Sequence, residues 1–260
     1  MGAETPSLRL ENRAAIVTGA GNGLGLAIAR RLARGGARIF LVDRDPVVLE
    51  RIGSADLPPE AACAMVKDLA DEDAGRVVFS EAVEAVGQVD TLINNAGWSF
   101  HKSMLDVTSA EFDRVVAVNQ RAPFFLAQEF LRHISGSTSS PPDRCIVNVA
   151  SVNALAGNAE LVPYAGTKGA LAAMTRAMAV ELAPFGVRVN AISPAAVDTF
   201  VTRSLVAAGQ IEPSQLVSRY LIKRFASCEE VAELVGYLCS PAAAFVTGAN
   251  WVIDGGYTAQ

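Results

Sequence analysis

The stretch Ala14–Gly25, "AAIVTGAGNGLG", joins a short apolar run to a glycine-rich turn, and a helical pattern follows over Leu24–Ala33. An apolar run of this length is typical of a strand buried on both faces of a parallel sheet. A glycine-rich turn between such a strand and a helix lets the backbone approach a pyrophosphate at the helix N-terminus. Gly19, Gly23 and Gly25 are spaced G-x-x-x-G-x-G rather than G-x-G-x-x-G, and tight turns need glycine in any case. Because the turn directly follows the first strand, however, the stretch favours a nucleotide site.

Short apolar runs alternate with helical patterns along most of the chain, which predicts βαβ units joined by right-handed crossovers. We therefore expect an α/β fold, a Rossmann-type doubly wound parallel sheet of about seven strands with helices on both faces. The predicted strands are Ala14–Val17, Arg38–Val42, Ala62–Val66, Thr91–Asn94, Cys145–Val149, Arg188–Ile192 and Trp251–Ile253. The predicted helices include Leu24–Ala33, Asp73–Val86, Ala110–Leu131, Tyr164–Leu182 and Glu229–Leu238.

The chain is expected to form a single dinucleotide-binding and catalytic domain over residues 1–260, because it has no internal repeat and no interdomain linker. Its one low-complexity run, Ser135–Asp143, falls between a helix and a strand and is interpreted as an exposed loop. The alternation lapses at Ala195–Arg224. Loops of that length are usually lids or binding segments, so we predict a substrate loop at about residues 195–225.

Composition and charge exclude several classes of partner. Of the 260 residues, 51% are hydrophobic and 19% are charged, so the chain can bury a substantial core. The net charge is −5 and no basic run occurs, which argues against nucleic acid and anionic membrane. The four cysteines are scattered, the N-terminus lacks a secretory pattern, and no apolar run approaches the roughly 18 residues of a membrane span. We expect a soluble cytoplasmic protein with reduced cysteines.

Acidic side chains follow two predicted strands at the edge where a nucleotide would lie. Asp43 ends the second strand, in "LVDR", about where an acidic residue binds ribose hydroxyls. It could instead cap the segment that begins at Pro46, although Asp45 suits that role better. Asp68 and Leu69, in "KDLAD", follow the third strand and could contact an adenine, with helix capping as the alternative for Asp68.

In "VPYAGTKGA", Val162–Ala170, Tyr164 and Lys168 stand four residues apart and share one face of a predicted helix. The pair could be a half-buried ring beside a lysine that reaches solvent, which is a common arrangement. Alternatively it is an acid–base pair, because a cation near a tyrosine favours the phenolate and lowers the tyrosine pKa. The spacing alone does not decide between the two.

Several motifs, in order along the chain, resemble those of the short-chain dehydrogenase/reductase family, specifically its single-domain members. The likeness extends from Arg13 to Tyr257 and so covers nearly the whole chain. Its elements are the turn "TGAGNGLG", "NNAG" at Asn94–Gly97, Asn119 in "VNQ", Ser151 after the fifth strand, and Tyr164 with Lys168 in a Y-x-x-x-K element.

The resemblance implies a nicotinamide-dependent oxidoreductase whose catalytic residues are Asn119, Ser151, Tyr164 and Lys168. Tyr164 would give a proton to a carbonyl oxygen or take one from an alcohol, aided by Lys168. Ser151 would hydrogen-bond the developing alkoxide, and Asn119 would hold a water that links Lys168 to solvent. Asn119 could instead support a kink, because Pro123 removes a helix hydrogen bond four residues on.

NAD is the predicted cofactor, because the Asp43 carboxylate would repel a 2′-phosphate. Asn22 stands where family members that use NADP often have a basic residue, whereas Arg44 could swing towards a phosphate or point to solvent.

Ala195 follows Pro194 where the family usually has glycine, and alanine resists a positive φ. The predicted cofactor contacts are Gly19, Asn22, Gly23, Leu24, Gly25, Asp43, Asp68, Leu69, Asn95, Ala96, Gly97, Tyr164, Lys168, Pro194, Val197 and Thr199.

The predicted substrate contacts are Ser151, Asn153, Asn158 and Tyr164. Further candidates on the loops at the carboxyl ends of the strands are Trp98, Phe100, Leu155, Ala196, Val197 and Phe200. These candidate residues are mostly apolar with two amides, and no arginine is among them, so we expect a neutral secondary alcohol or ketone such as a polyol, a sugar or a cyclic compound. His101 is expected to be an ordinary packing or surface residue, and no clustered ligand set predicts a metal.

Three other functions compete with this one. The first is an NADPH-dependent reductase of 3-oxoacyl thioesters, which would use the same catalytic residues. A non-catalytic dinucleotide-sensing protein would need the glycine turn but not Tyr164. A sugar-nucleotide epimerase or dehydratase would need a longer chain with a C-terminal substrate region. The resemblance also implies a homotetramer that uses the helices around Ala110–Leu131 and Tyr164–Leu182 and the C-terminal strand.

Overall fold

A fully parallel sheet forms the centre of the computed structural model, which describes residues 8–54, 57–135, 143–209 and 212–260. The seven strands lie in the order β3-β2-β1-β4-β5-β6-β7, which is the predicted doubly wound sheet. Each predicted strand is present, with small changes at its ends. The strands are β1 (Ala14–Thr18), β2 (Arg38–Asp43), β3 (Ala62–Val66), β4 (Thr91–Asn94), β5 (Arg144–Val149), β6 (Val187–Pro194) and β7 (Asn250–Ile253).

Helices cover both faces of the sheet and create two separate hydrophobic cores. Side chains at alternate positions of a strand point to opposite faces. Accordingly Ala15 and Val17 of β1 join the core on one face of the sheet, whereas Ala14 and Ile16 join the core on the other face. The helices are α1 (Gly23–Arg34), α2 (Ala74–Val86), α3 (Ser109–Val116), α4 (Ala122–Ser135), α5 (Val162–Leu182), α6 (Phe200–Ala207), α7 (Pro213–Ser218) and α8 (Cys228–Cys239).

The predicted helix over Ala110–Leu131 is wrong as a single α-helix. A π-helical turn over Ala117–Arg121 separates α3 from α4. Pro123 lies in the first turn of α4 and has no N–H to give to the carbonyl of Asn119, so the regular bonding pattern cannot run through this point. π-helical turns are frequent at functional sites, and this one contains Asn119.

The short helices α6 and α7 lie within Ala195–Arg224, the segment in which the alternation of predicted strands and helices lapses. The sequence did not predict these two helices. The Thr199 side chain caps α6 by accepting from the amide of Thr202, and the Glu212 side chain caps α7 in the same way through Ser214. Polar caps of this kind stabilise short helices whose apolar periodicity is weak.

Two other expectations concern loops. Asp45 accepts from the amide of Val47 and caps a 3₁₀ helix over Pro46–Arg51, as predicted. The loop expected at Ser135–Asp143 falls mainly on residues 136–142, which lie outside the described residues. Across the ranges that the structure describes, no helix has both the length and the apolar character needed to span a bilayer.

Candidate active site

A cleft of about 1090 Å³ runs along the carboxyl ends of the strands, where parallel sheets of this type bind ligands. The four predicted substrate contacts and every predicted cofactor contact line it. Asn119 is the one predicted catalytic residue that does not, because its side chain is fully buried behind the cleft. The predicted cofactor contacts that line the cleft are Gly19, Asn22, Gly23, Leu24, Gly25, Asp43, Asp68, Leu69, Asn95, Ala96, Gly97, Tyr164, Lys168, Pro194, Val197 and Thr199.

The glycine turn has the shape of a phosphate cradle. Gly19 and Gly23 have φ values of +64° and +54°, which side-chain-bearing residues rarely adopt. A Cβ at Gly25 would lie 2.0 Å from the carbonyl oxygen of Gly19, so only glycine permits this closed turn at the start of α1. The turn therefore fits the pyrophosphate of a dinucleotide, which would meet the positive end of the helix dipole.

The "NNAG" segment after β4 holds this turn in place. The Thr18 hydroxyl accepts from the amides of Asn95 and Ala96 at 3.0 and 3.1 Å. The Asn95 side chain donates to the carbonyl oxygens of Thr18 and Gly19 at 2.8 and 3.1 Å. These contacts join the carboxyl ends of the neighbouring strands β1 and β4. They explain why the glycine turn and the "NNAG" segment occur together at one site.

Asp43 is fixed at the end of β2 beside the turn. Its carboxylate accepts from the amides of Gly21 and Asp45 at 2.9 and 3.0 Å, so it does not cap the following helix. Arg51, which sequence reasoning missed, donates to the Gly21 carbonyl oxygen at 2.8 Å and to the Asn22 side chain at 2.7 Å. No motif marks Arg51, since it reaches the turn from a separate 3₁₀ helix.

Asp68 lines the cleft but its carboxylate is already engaged. It accepts from Arg114 at 2.7 Å and from the amide of Ala70 at 2.9 Å. Asp73, not Asp68, is the N-cap residue of α2, so the predicted alternative of helix capping is wrong for Asp68. The Arg114 guanidinium also lies 5.6 Å above the ring of Trp98 and closes this side of the cleft.

The structure brings Ser151, Tyr164 and Lys168 together at the centre of the cleft. Pro163 opens α5, so Tyr164 and Lys168 lie in its first two turns and face β5. The Lys168 ammonium donates to the Val149 carbonyl oxygen at 2.6 Å and lies 5.7 Å from the centre of the Tyr164 ring. Lys168 is 2% exposed. The alternative interpretation of the pair, a half-buried ring beside a lysine that reaches solvent, is therefore wrong.

Burial controls the titration of this pair. It raises the pKa of Tyr164, while the hydrogen bond with the Ser151 hydroxyl acts in the opposite direction. The predicted lowering of the tyrosine pKa by Lys168 is therefore wrong, because the ammonium is directed to the Val149 carbonyl and the phenol is desolvated. Burial also lowers the pKa of Lys168 to about 8.

Asn119 connects the π-helical turn to the loop after β4. Its side chain accepts from the Trp98 amide at 2.8 Å and donates to the Trp98 carbonyl oxygen at 2.9 Å. It also donates to the Thr167 hydroxyl at 3.2 Å, which in turn donates to the Tyr164 carbonyl oxygen at 2.8 Å. Asn119 thus positions both the wall of the cleft and the first turn of α5.

Ala195 does not adopt the positive φ that a glycine after Pro194 would permit. Among the described residues, side-chain-bearing residues with positive φ occur at Asn12, Asp143 and Glu160. Ala195 instead donates its amide to the Ile253 carbonyl oxygen at 3.1 Å and continues the edge of the sheet. Alanine after Pro194 therefore causes no strain.

The substrate end of the cleft contains both predicted and unpredicted side chains. Trp98, Ala196, Val197 and Phe200 line it, as does His101. Phe100 and Leu155 do not. Residues that sequence reasoning missed here are Glu212, Leu216, Arg219, Tyr220 and Tyr257.

Asn153 and Asn158 form a polar strip between the centre of the cleft and its substrate end. The Asn153 side chain donates to the Ser151 hydroxyl at 3.2 Å and accepts from Asn158 at 2.6 Å. Asn158 in turn accepts from Arg219 at 2.9 Å and from the Tyr257 hydroxyl at 3.3 Å. The strip therefore leads from the reactive centre to an arginine.

Comparisons with known proteins agree with this geometry. Residues 19–258 match the sequence family described as enoyl-(acyl carrier protein) reductase, a branch of the short-chain dehydrogenases. The chain is 34% identical over 253 residues to meso-2,3-butanediol dehydrogenase from Serratia marcescens, covering 97% of each chain. This chain belongs to the short-chain dehydrogenase/reductase family. Membership confirms the resemblance found in the sequence and implies an oxidoreductase that uses a nicotinamide dinucleotide.

Solved structures of family members superimpose closely on the chain. A 3-ketoacyl-(acyl-carrier-protein) reductase from Brucella melitensis, complexed with NADH, has a TM-score of 0.87 at 33% identity and covers 97% of this chain and 100% of its own. A gluconate 5-dehydrogenase from Burkholderia cenocepacia, in complex with NADP and tartrate, has a TM-score of 0.86 at 30% identity and covers 99% and 100%. The two relatives carry different nicotinamide cofactors, so family membership leaves that choice to the individual site.

Proposed function

We propose that this protein is an NAD(H)-dependent oxidoreductase that transfers a hydride between the nicotinamide and a secondary alcohol/ketone pair. The substrate is a polyol, a sugar, a cyclic alcohol or a similar compound. The observation that carries the proposal is the meeting of Ser151, Tyr164 and the buried Lys168 in the same cleft as the glycine turn. The names of relatives, which include a butanediol dehydrogenase and a gluconate 5-dehydrogenase, support this substrate class.

The side chains of the site divide the chemistry between them. The dinucleotide, when bound, supplies or accepts the hydride. The Ser151 hydroxyl donates a hydrogen bond to the substrate oxygen and stabilises the negative charge that develops on it. The Tyr164 phenol gives its proton to that oxygen during reduction, or takes the proton from the alcohol during oxidation.

Lys168 has two functions in this proposal. Its ammonium lies 5.7 Å from the centre of the Tyr164 ring and would hydrogen-bond the nicotinamide ribose. Because burial lowers the pKa of Lys168 to about 8, this group can give up a proton near neutral pH. Lys168 would therefore help to restore the proton of Tyr164, while Asn119 holds the adjoining loop and the first turn of α5 in place.

Asp43 supports NAD as the cofactor. Two backbone amides hold its carboxylate at the edge of the cleft, so it cannot easily move away from an approaching 2′-phosphate. A like-charge contact of this kind should cost about 2–3 kcal/mol, or roughly 30- to 150-fold in kcat/KM. Arg44 also lines the cleft and is the group that would oppose this preference.

The cofactor assignment is tested by measuring kcat/KM for NAD and NADP with wild type and with Asp43→Ala. We expect a clear preference for NAD in the wild type and loss of most of it in the variant. Asp106→Ala, which removes an exposed carboxylate that does not line the cleft, is the matched control and should keep the preference. Equal or better use of NADP by the wild type would overturn the assignment.

A substrate panel tests the reaction itself, with turnover followed by NADH absorbance. It contains polyols, sugars, cyclic alcohols, hydroxy acids, aromatic alcohols and 3-oxoacyl thioesters. We expect the best activity with a polyol, a sugar, a cyclic alcohol or a hydroxy acid. A 3-oxoacyl thioester as the best compound by tenfold or more would replace the proposal with the thioester reductase.

Two further parts of the proposal concern the whole protein. Exposed apolar side chains on α4, α5 and β7, namely Phe124, Phe125, Val180 and Val252, support the homotetramer. Light scattering should give about four times 27.2 kDa at micromolar concentration, and a monomer would contradict the tetramer.

The four free cysteines support a reducing, cytoplasmic location.

A further inference from the structure

Arg219 is a cation at the substrate end of the cleft that the reaction itself does not require. It directly follows α7 and lines the cleft. Its Nη1 donates to the Asn158 side chain at 2.9 Å, and its guanidinium lies 4.5 Å above the ring of Tyr257. Its backbone carbonyl oxygen accepts from the side chain of Gln260 at 2.6 Å. The contacts with Asn158 and Tyr257 orient the guanidinium before any substrate arrives.

The positive charge of Arg219 is not neutralised by the protein. Within the ranges that the structure describes, no carboxylate lies within ion-pair distance of its guanidinium. The acidic groups of the surrounding loops have other partners. Glu212 accepts from the amide and the hydroxyl of Ser214, and Asp254 accepts from the amide of Gly256 and from Thr258. A guanidinium has five N–H donors, so most of those of Arg219 remain available to a ligand.

The position of Arg219 relative to the reactive centre is fixed through the polar strip. Ser151 contacts Asn153, Asn153 contacts Asn158, and Asn158 contacts Arg219. A substrate whose reacting oxygen lies at Ser151 and Tyr164 would therefore extend along the two asparagine side chains towards the guanidinium. The amides suit hydroxyl groups between the two ends, because each offers both a donor and an acceptor.

We propose that Arg219 binds a carboxylate at the end of the substrate remote from the reacting carbon, so that the preferred substrate is a hydroxy acid. This inference rests on the proposed function and narrows its substrate class. The candidate residues that predict a neutral substrate do not include Arg219. A planar carboxylate matches the fork of a guanidinium, and the exposed Glu212, which also lines the cleft, disfavours a dianionic phosphate more than a monoanion.

The test compares each acid with a neutral molecule of the same shape. Gluconate is paired with gluconamide, and 4-hydroxycyclohexanecarboxylate with its primary amide, and kcat/KM is measured for wild type, Arg219→Gln and Arg219→Lys. In wild type we expect the acid to be preferred by about 10- to 100-fold in at least one pair, mainly through KM, as for a charge-assisted pair. Arg219→Gln should bring the acid-to-amide ratio close to one, and Arg219→Lys should retain part of it.

Arg203→Gln is the matched control, because Arg203 lies on α6, pairs with Asp198 and does not line the cleft. It removes the same net charge and should leave the acid-to-amide ratio unchanged. A wild-type ratio near one or below in both pairs, or a ratio that Arg219→Gln leaves intact, would overturn the carboxylate anchor. If the amides and neutral polyols are still oxidised in that case, the proposed function stands without the anchor. Failure to oxidise any secondary alcohol would overturn both.

Discussion

Replacing Lys168 with methionine should change how the stability of the protein depends on pH. Lys168 is 2% exposed, and burial lowers its pKa from the ordinary value of 10.5 to about 8. Between these two values the unfolded chain holds a proton on this lysine that the folded chain has already lost. The free energy of unfolding therefore rises with pH in this window, since stability increases wherever the unfolded state binds more protons.

The size of the effect follows from the two pKa values. At pH 7.5 both states are largely protonated, and the folded state carries the cost of a buried ammonium. At pH 9.5 the folded lysine is neutral and most of that cost has been removed. The contribution of Lys168 to the free energy of unfolding should thus become more favourable by about 2 kcal/mol between pH 7.5 and 9.5.

Urea unfolding, followed by circular dichroism at a fixed protein concentration, measures this contribution. The quantity is the free energy of unfolding of wild type minus that of Lys168→Met, which cancels other groups that titrate in the same range. It should rise between pH 7.5 and 9.5, whereas the same difference for Lys223→Met, at an exposed lysine, should stay flat. A Lys168 difference that stays flat or falls with pH would refute the assignment of a lowered lysine pKa.

Two further substitutions test the surroundings of the site. Gly25→Ala should weaken NADH binding by about 10- to 100-fold in a fluorescence titration, because its Cβ would lie 2.0 Å from the Gly19 carbonyl oxygen. Gly166→Ala, where a Cβ would meet open space, should bind NADH as wild type does, and equal affinities in both variants would contradict the closed turn. Asn119→Leu should cost about 2–3 kcal/mol of stability in thermal unfolding and reduce turnover, since the Trp98 amide and carbonyl lose their partner. An unchanged melting temperature would show that these two hydrogen bonds do not hold the loop.

The sequence predicted the sheet and most of the cleft because their determinants are local. Strand β1 and its glycine turn adjoin in the chain, and Tyr164 and Lys168 are neighbours on one helix face. Asp43 could be placed beside the glycine turn because it ends a buried strand, and the carboxyl ends of parallel strands meet at one edge. Each of these inferences used residues close together in the sequence.

The features that the sequence did not predict depend on contacts between distant segments. Arg51 reaches the glycine turn from a 3₁₀ helix thirty residues away, and Arg219 meets Asn158 across sixty-one residues. The tyrosine pKa was wrongly expected to be lowered, since only the folded structure shows that Lys168 is directed towards Val149. Spacing along the chain cannot reveal where a long side chain finds its partner.

In the proposed reaction the Tyr164 phenol transfers the proton. Tyr164→Phe removes only the hydroxyl and leaves Lys168, Ser151 and the glycine turn in place. The decisive measurement is turnover of the best substrate by this variant, together with its affinity for NADH by fluorescence titration. We predict a loss of about 10²- to 10⁴-fold in kcat with NADH affinity close to that of wild type. A variant that keeps a third or more of the wild-type turnover would contradict the assignment.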